Sequence, residues 1–323
     1  MSTNLSTNTT PDIKKLKSQN TDTILMIEPV AFIFNEQTAQ NNFFQKKVNF
    51  SENEIQQKAY QEFNAMVDQL RSYGIRILVV SDTPEPHTPD SIFPNNWISF
   101  HNDGQVVLYP MFAPNRRKER RTDILDYLKD QHCEIKNIVD FTFWEEEGLY
   151  LEGTGSMILD RIHRIAYAAL SERTNLSVFL QFCKVFEFEP VYFTSNQTVN
   201  GSKLPVYHTN VMMSIADDFA VVCLDSIENR EEKSNVIAHL QQTGKEIIPI
   251  TEKQMCNFAG NVLQVRNTAG KLYLVISETA FNSLDQHQTE RLKNYNDLIV
   301  VSIPTIETIG GGSVRCMMAE IFY

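Results

Sequence analysis

Short apolar runs and longer amphipathic stretches alternate along the chain, and the alternation itself recurs. Five segments pass abruptly from polar to apolar residues and read as strand starts: NNWISF at 95–100, EGTGSMILD at 152–160, HTNVMMSI at 208–215, GNVLQV at 260–265 and RCMMAEIF at 315–322. A second apolar run follows each of the first four (VVLYPMF, RIAYAAL, FAVVCL, KLYLVIS). Apolar spacing near three and four predicts helices over 54–73, 119–131, 174–185, 228–242 and 279–293. The runs IRILVV, IKNIVDF, PVYFT, KEIIPI and DLIVVSI then read as closing strands, and Gly74 and Gly244 stand where C-cap glycines would end two helices.

The leading polar residues of the five strand starts are Asn96, Glu152, His208, Asn261 and Cys316, at intervals of 56, 56, 53 and 55 residues. Such a period is the mark of a repeat architecture. The segment TILMIEPVAFIFN at 23–35 opens the first repeat, whereas RCMMAEIF has no helix after it, so the two ends would complete one another. The expected fold is therefore α/β, with pseudo-fivefold ββαβ-type repeats closed as a five-bladed α/β propeller, helices outside and the leading residues on the axis. Closure would leave no free strand edge. An ordinary open α/β sheet is the alternative this pattern leaves standing. Residues 1–22 are expected to form a flexible tail and 23–323 a single catalytic domain.

Composition narrows the partners. A formal charge of −11 would repel phosphate backbones and anionic membranes, so neither nucleic acid nor membrane is expected, and a small molecule is the better partner. With no apolar leader in the first 20 residues and no run long enough to span a bilayer, the expectation is a cytoplasmic protein; self-association stays open. Five scattered cysteines without a CxxC signal neither disulfides nor zinc. No cofactor or metal is expected. Cys183 and Cys223 lie in apolar runs and read as small core residues.

Equivalent positions of a ring would face one cavity, and these hold a cysteine, a histidine, a glutamate and two asparagines. A core would be apolar there; covalent chemistry wants a nucleophile, a proton carrier and a polar anchor. Cys316 is reached through Gly310, Gly311, Gly312 and Ser313, which permit unusual dihedrals and close ligand approach. Arg315 should point away from it if the segment is a strand. His208 can protonate a leaving amine and deprotonate water. Glu152, beside Gly153 and Gly155, would orient substrate, although the acidic run at 145–147 also allows a surface turn. The proline-bearing stretch 82–94 fits either a lid or a rigid connection.

The motifs LEGTGSM, YHTNVMM and GGGSVRCMMAE, with FPNNW upstream, resemble the amidinotransferase/deiminase superfamily of penteins, and within it the citrulline-utilisation-type hydrolases. The resemblance runs from about residue 23 to the end of the sequence. It implies a pentein propeller and a catalytic set of Cys316, His208 and Glu152. The thiolate would attack the central carbon of a guanidino or ureido group, and water would resolve the thio-intermediate; an amidinotransferase would use an amine instead, and some penteins only bind. Where arginine-type deiminases usually carry aspartates, this chain has Asn96 and Asn210, which implies a neutral, citrulline-like head group or a less common guanidine. Asn261, at the fourth repeat position, would line the same substrate cradle. In the cluster PNRRKERR, Arg116, Arg117 or Arg120 would pair with a substrate α-carboxylate, unless the cluster is only a solvated helix start.

Overall fold

The computed structural model describes residues 18–322. Fifteen of its strands form five separate three-stranded sheets built to one plan, none of them closed on itself. In the first, Ala319–Ile321 and Arg76–Ser81 flank Thr23–Glu28. The second joins Ile98–Phe100, Gln105–Leu108 and Asn137–Asp140, and the third Ile158–Asp160, Ile165–Ala169 and Glu189–Phe193. Met213–Ile215, Phe219–Val222 and Glu246–Pro249 make the fourth; Leu263–Arg266, Leu272–Ser277 and Asp297–Val301 make the fifth.

Every sheet has an antiparallel pair on one side of its middle strand and a parallel pair on the other. In sheets two to five a short turn suffices for the first pair, while the second needs the long crossover that the helical segments supply. The chain ends complement one another as expected, with Thr23 opposite Ile321 and Leu25 opposite Ala319.

Middle strands such as Ile165–Ala169 and Phe219–Val222 are buried at every residue, which is why they read as unbroken apolar runs. Their neighbours feed apolar clusters between successive sheets. In the first sheet Leu25 and Ile27 pack with Ile98 and Val106 of the second, while Ile24 and Met26 turn the other way onto Val265 and Val275 of the fifth. Val107 of the second sheet meets Leu159 and Ala166 of the third. One larger cluster joins Tyr167, Met213, Val222 and Leu274 across the third, fourth and fifth.

Helix Glu52–Ser72 starts at a capping box of Ser51 and Glu54, and Asn175 and Asn229 cap Leu176–Val185 and Arg230–Gln242. Gly74 and Gly244 take φ values of 81° and 73° just beyond two helix ends, the left-handed conformation that a C-cap needs. Two helices differ from expectation. The helix expected over 119–131 begins at Thr122, after a separate turn at Arg116–Glu119. The helix expected over 279–293 is broken into Glu278–Ser283 and Gln286–Lys293, because Asp285 caps the second piece with Gln288.

Of the expected tail over 1–22, residues 1–17 lie outside the described residues. Residues 18–22 correct the boundary: Gln19, Asn20 and Thr21 are buried. Gln19 donates to the Leu159 carbonyl and accepts from Arg161 N–H, and Thr21 Oγ1 donates to the Ile321 carbonyl. Among the described residues no helix is long and apolar enough to cross a membrane.

Candidate active site

The leading polar residues do not begin the inner strands. They sit in or beside short turns just before them, at Pro94–Asn96, Gly153–Ser156, Thr209–Val211 and the bend through Gly311. Two glycines let these turns crowd together. A side chain at Gly155 would come within 2.5 Å of Asn96 Nδ2 and 2.8 Å of His208 Nδ1, and one at Gly153 within 2.4 Å of the Asn95 carbonyl.

His208 Nε2 lies 2.8 Å from Glu152 Oε2, and Glu152 Oε1 accepts from Phe112 N–H at 2.9 Å. Burial alone would raise the Glu152 carboxyl, but Arg173, the His208 hydrogen bond and Arg116 together hold it at about 2. Burial lowers His208 to about 4 against the pull of Glu152, with Arg173 and Arg116 adding to the lowering. At neutral pH the pair is thus a carboxylate beside a neutral imidazole. Since the carboxylate can only accept, Nε2 carries the proton and Nδ1 the free lone pair.

Cys316 Sγ is gripped by two amides, Asn210 Nδ2 at 3.3 Å and Asn261 Nδ2 at 3.2 Å. Asn261 also donates to the Asn210 carbonyl and accepts from Arg315 N–H, so three repeats meet at the sulfur. This arrangement presents the sulfur as the acceptor of two amide N–H groups. Arg315, in a turn rather than the strand on which the expectation rested, reaches Glu320 at 2.8 Å.

The remaining expected site residues fare differently. Asn96 is committed within the protein, accepting from Arg116 Nη1 at 2.6 Å and donating to Asn95. Asn210 and Asn261 hold the Cys316 sulfur, where a substrate contact was expected. Of the arginines only Arg116 reaches the cluster, 4.0 Å from Glu152 and forked onto Glu119 at 2.8 and 3.0 Å. Arg117 and Arg120 lie apart from it: both serve Glu145 and nearby backbone carbonyls, because the turn at 116–119 splays successive side chains apart.

The sequence pattern missed Arg173. It is buried, 3.6 Å from Glu152, with its guanidinium over the Tyr207 ring at 5.0 Å. It follows a strand rather than leading one, so the repeat gave no signal for it. The cover was missed as well. Asn42 donates to the carbonyls of Gly310 and Gly311, Gln45 to that of Ile309, and Arg173 to that of Thr38. The strap at 35–46 lies on the site, while the 82–94 stretch is tied down through Asp82, Thr88 and Asp90 as a rigid connection. Cys316, His208 and Glu152 are consequently 2%, 1% and 0% exposed. A cavity of about 260 Å³ lined by Asn41, Phe43, Arg173, Pro205 and Tyr207 opens beside them.

Solved structures with the same fold include ArgZ, an arginine dihydrolase from the ornithine-ammonia cycle in cyanobacteria. Its apo form superposes with a TM-score of 0.70 at 15% identity, over 93% of this chain and 40% of that one. The present chain thus spans about 40% of that relative's length. The N-terminal domain of ArgZ, a cysteine-to-serine mutant bound to substrate, gives a TM-score of 0.67 at 15% identity, over 93% and 98% of the two chains. A histidine-to-glycine form of dimethylarginine dimethylaminohydrolase, captured as an adduct with S-methyl-L-thiocitrulline, gives 0.60 at 15% identity over 93% and 99%. No curated protein sequence matches the chain. The family model described as N,N dimethylarginine dimethylhydrolase, eukaryotic, matches residues 28–323, and the chain, with its Glu-Gly, His and Cys turns gathered at one buried point, belongs to that family.

Proposed function

We propose that the protein is a cysteine hydrolase acting on the guanidino or ureido carbon of an arginine- or citrulline-like amino acid, with Cys316 as nucleophile and His208 as acid and base. The 2.8 Å contact between Glu152 and His208, buried together with an amide-gripped sulfur, carries this reading. His208 Nδ1 takes the Cys316 proton, and the ionised Glu152 stabilises the imidazolium that results. The sulfur forms a bond to the substrate carbon. The C–N bond breaks, and the imidazolium protonates the leaving amine. Water then adds to the thio-intermediate as its proton passes to His208; the C–S bond breaks, and the proton returns to the sulfur.

Family membership favours a methylated guanidine, while the unpartnered amide oxygen of Asn210 favours a neutral ureido group. Equal concentrations of dimethylarginine, arginine and citrulline separate these readings by rate. The five like sheets, linked by apolar clusters that pass from the first to the fifth and back to the first, support a five-bladed propeller in which the chain from Ser18 onward acts as one catalytic domain. Intact-protein mass spectrometry of wild type and Cys316→Ala tests the chemistry. A substrate-dependent adduct confined to wild type is expected; the same adduct on Cys316→Ala would overturn the assignment.

A further inference from the structure

Tyr207 precedes the proposed acid and base, yet its phenol reaches across to the turn that delivers Cys316. Its O–H donates to the Gly311 carbonyl at 2.6 Å. Gly311 is where the chain needs a left-handed residue, at φ 64°, and a side chain there would come within 2.6 to 2.8 Å of Gln45 and Asn42. From it the chain runs to Ser313, whose carbonyl accepts from Cys316 N–H at 2.9 Å. The same ring lies 4.6 Å from the His208 ring, 5.0 Å from the Arg173 guanidinium and edge-on to Phe44 at 5.8 Å. One side chain therefore touches the His208 turn, the Cys316 turn and the strap.

We infer that Tyr207 is a positioning residue, its hydroxyl fixing the Gly311 bend so that Cys316 keeps its place against the two amides while its ring forms a wall beside His208. A role in proton transfer does not fit: burial and the neighbouring Cys316 sulfur push the phenol well above its usual range, and its proton is already given to a carbonyl.

This inference rests on Cys316 being the reactive sulfur, and its test separates the two claims. Tyr207→Phe deletes the hydroxyl and keeps the ring. Turnover of the best substrate among dimethylarginine, arginine and citrulline should fall about tenfold in kcat, the effect of one hydrogen bond, with KM within about twofold. Alkylation of Cys316 by iodoacetamide, read by peptide mass spectrometry, should move the other way, about fivefold faster, since a freed turn exposes a sulfur now 2% exposed. Cys223, fully buried elsewhere, serves as the internal control and should alkylate at the wild-type rate. Equal acceleration at Cys223 would mean general loosening and overturn the inference, as would unchanged alkylation of Cys316. Tyr207→Leu should in addition raise KM through the lost wall on Arg173. If Cys316→Ser retained turnover, the reading of the site would fail, while the alkylation arm would still judge the role of Tyr207.

Discussion

Two buried polar clusters occupy opposite ends of the inner strands, and they are built differently. At the far end Arg315 pairs with Glu320 and the Met318 carbonyl, Arg161 lies over the Phe322 ring and 3.9 Å from Glu320, and Lys245 sits 3.5 Å from Asp160. Gln19 closes that end, leaving an internal void of only about 20 Å³. There each charge meets an opposite charge or a backbone carbonyl, as a buried ion network must if it is to be tolerated. At the Cys316 end, bonding capacity is held in reserve. The buried Asn210 Oδ1 has no partner, His208 Nδ1 is a free lone pair, and Glu152 faces two guanidiniums, one of which, Arg116, is shared with Glu119. Polar residues at the far end hold the strands in place; those at the near end leave bonding atoms unpaired.

Substitutions at the two ends should therefore separate activity from stability. Cys316→Ala should abolish turnover by at least about 10³-fold while shifting the melting temperature by no more than a few degrees, checked by product assay and a thermal melt. Glu152→Gln removes the charge that stabilises the imidazolium and should lower kcat about 10²-fold; near-normal kcat would return Glu152 to a purely structural role. At the far end the balance should reverse. Glu320→Gln strands Arg315 and Arg161, costing about 3 kcal/mol in urea unfolding with kcat per folded molecule within about twofold.

A pH series sharpens the contrast. Folded His208 takes a proton only near pH 4, whereas an unfolded histidine does so near 6.5, so the unfolded state binds more protons between these values and stability is lost as pH falls through that window. The loss is on the order of 2–3 kcal/mol, and it should vanish in His208→Gln. Glu152, held at about 2, extends the acid loss below about pH 4.5 by the same sign. The smallest effect belongs to Gln19→Ala, about 1 kcal/mol of stability and no change in kcat.

Much of this was legible in the sequence because a repeat converts spacing into geometry. The interval near 55 residues brought Glu152, His208, Asn261 and Cys316 to one point although the first and last stand 164 positions apart, and the strand order followed from the same pattern. What escaped was whatever the repeat does not encode. Arg173 and the strap at 35–46 belong to connections, whose paths are set by contacts available only in the assembled molecule. Gln19 looked like tail because its neighbours are polar, yet its amide finds a carbonyl and an N–H only on another sheet. The three arginines could not be told apart because a basic cluster gives charge without direction, and one short turn sends Arg116 inward and Arg117 and Arg120 to Glu145.

The pairing of Thr23–Glu28 with Ala319–Ile321 also bears on how the molecule comes into being. Thr21 and Ile321, bonded in the finished protein, are 300 residues apart along the chain. A chain emerging from the ribosome has made four sheets before the first can receive its third strand, and contacts of such span form slowly. Until that strand arrives, Thr23–Glu28 offers an open edge to any passing strand. The closing strand follows the Cys316 turn by only two residues, so Cys316 takes its place only as that strand joins the first sheet.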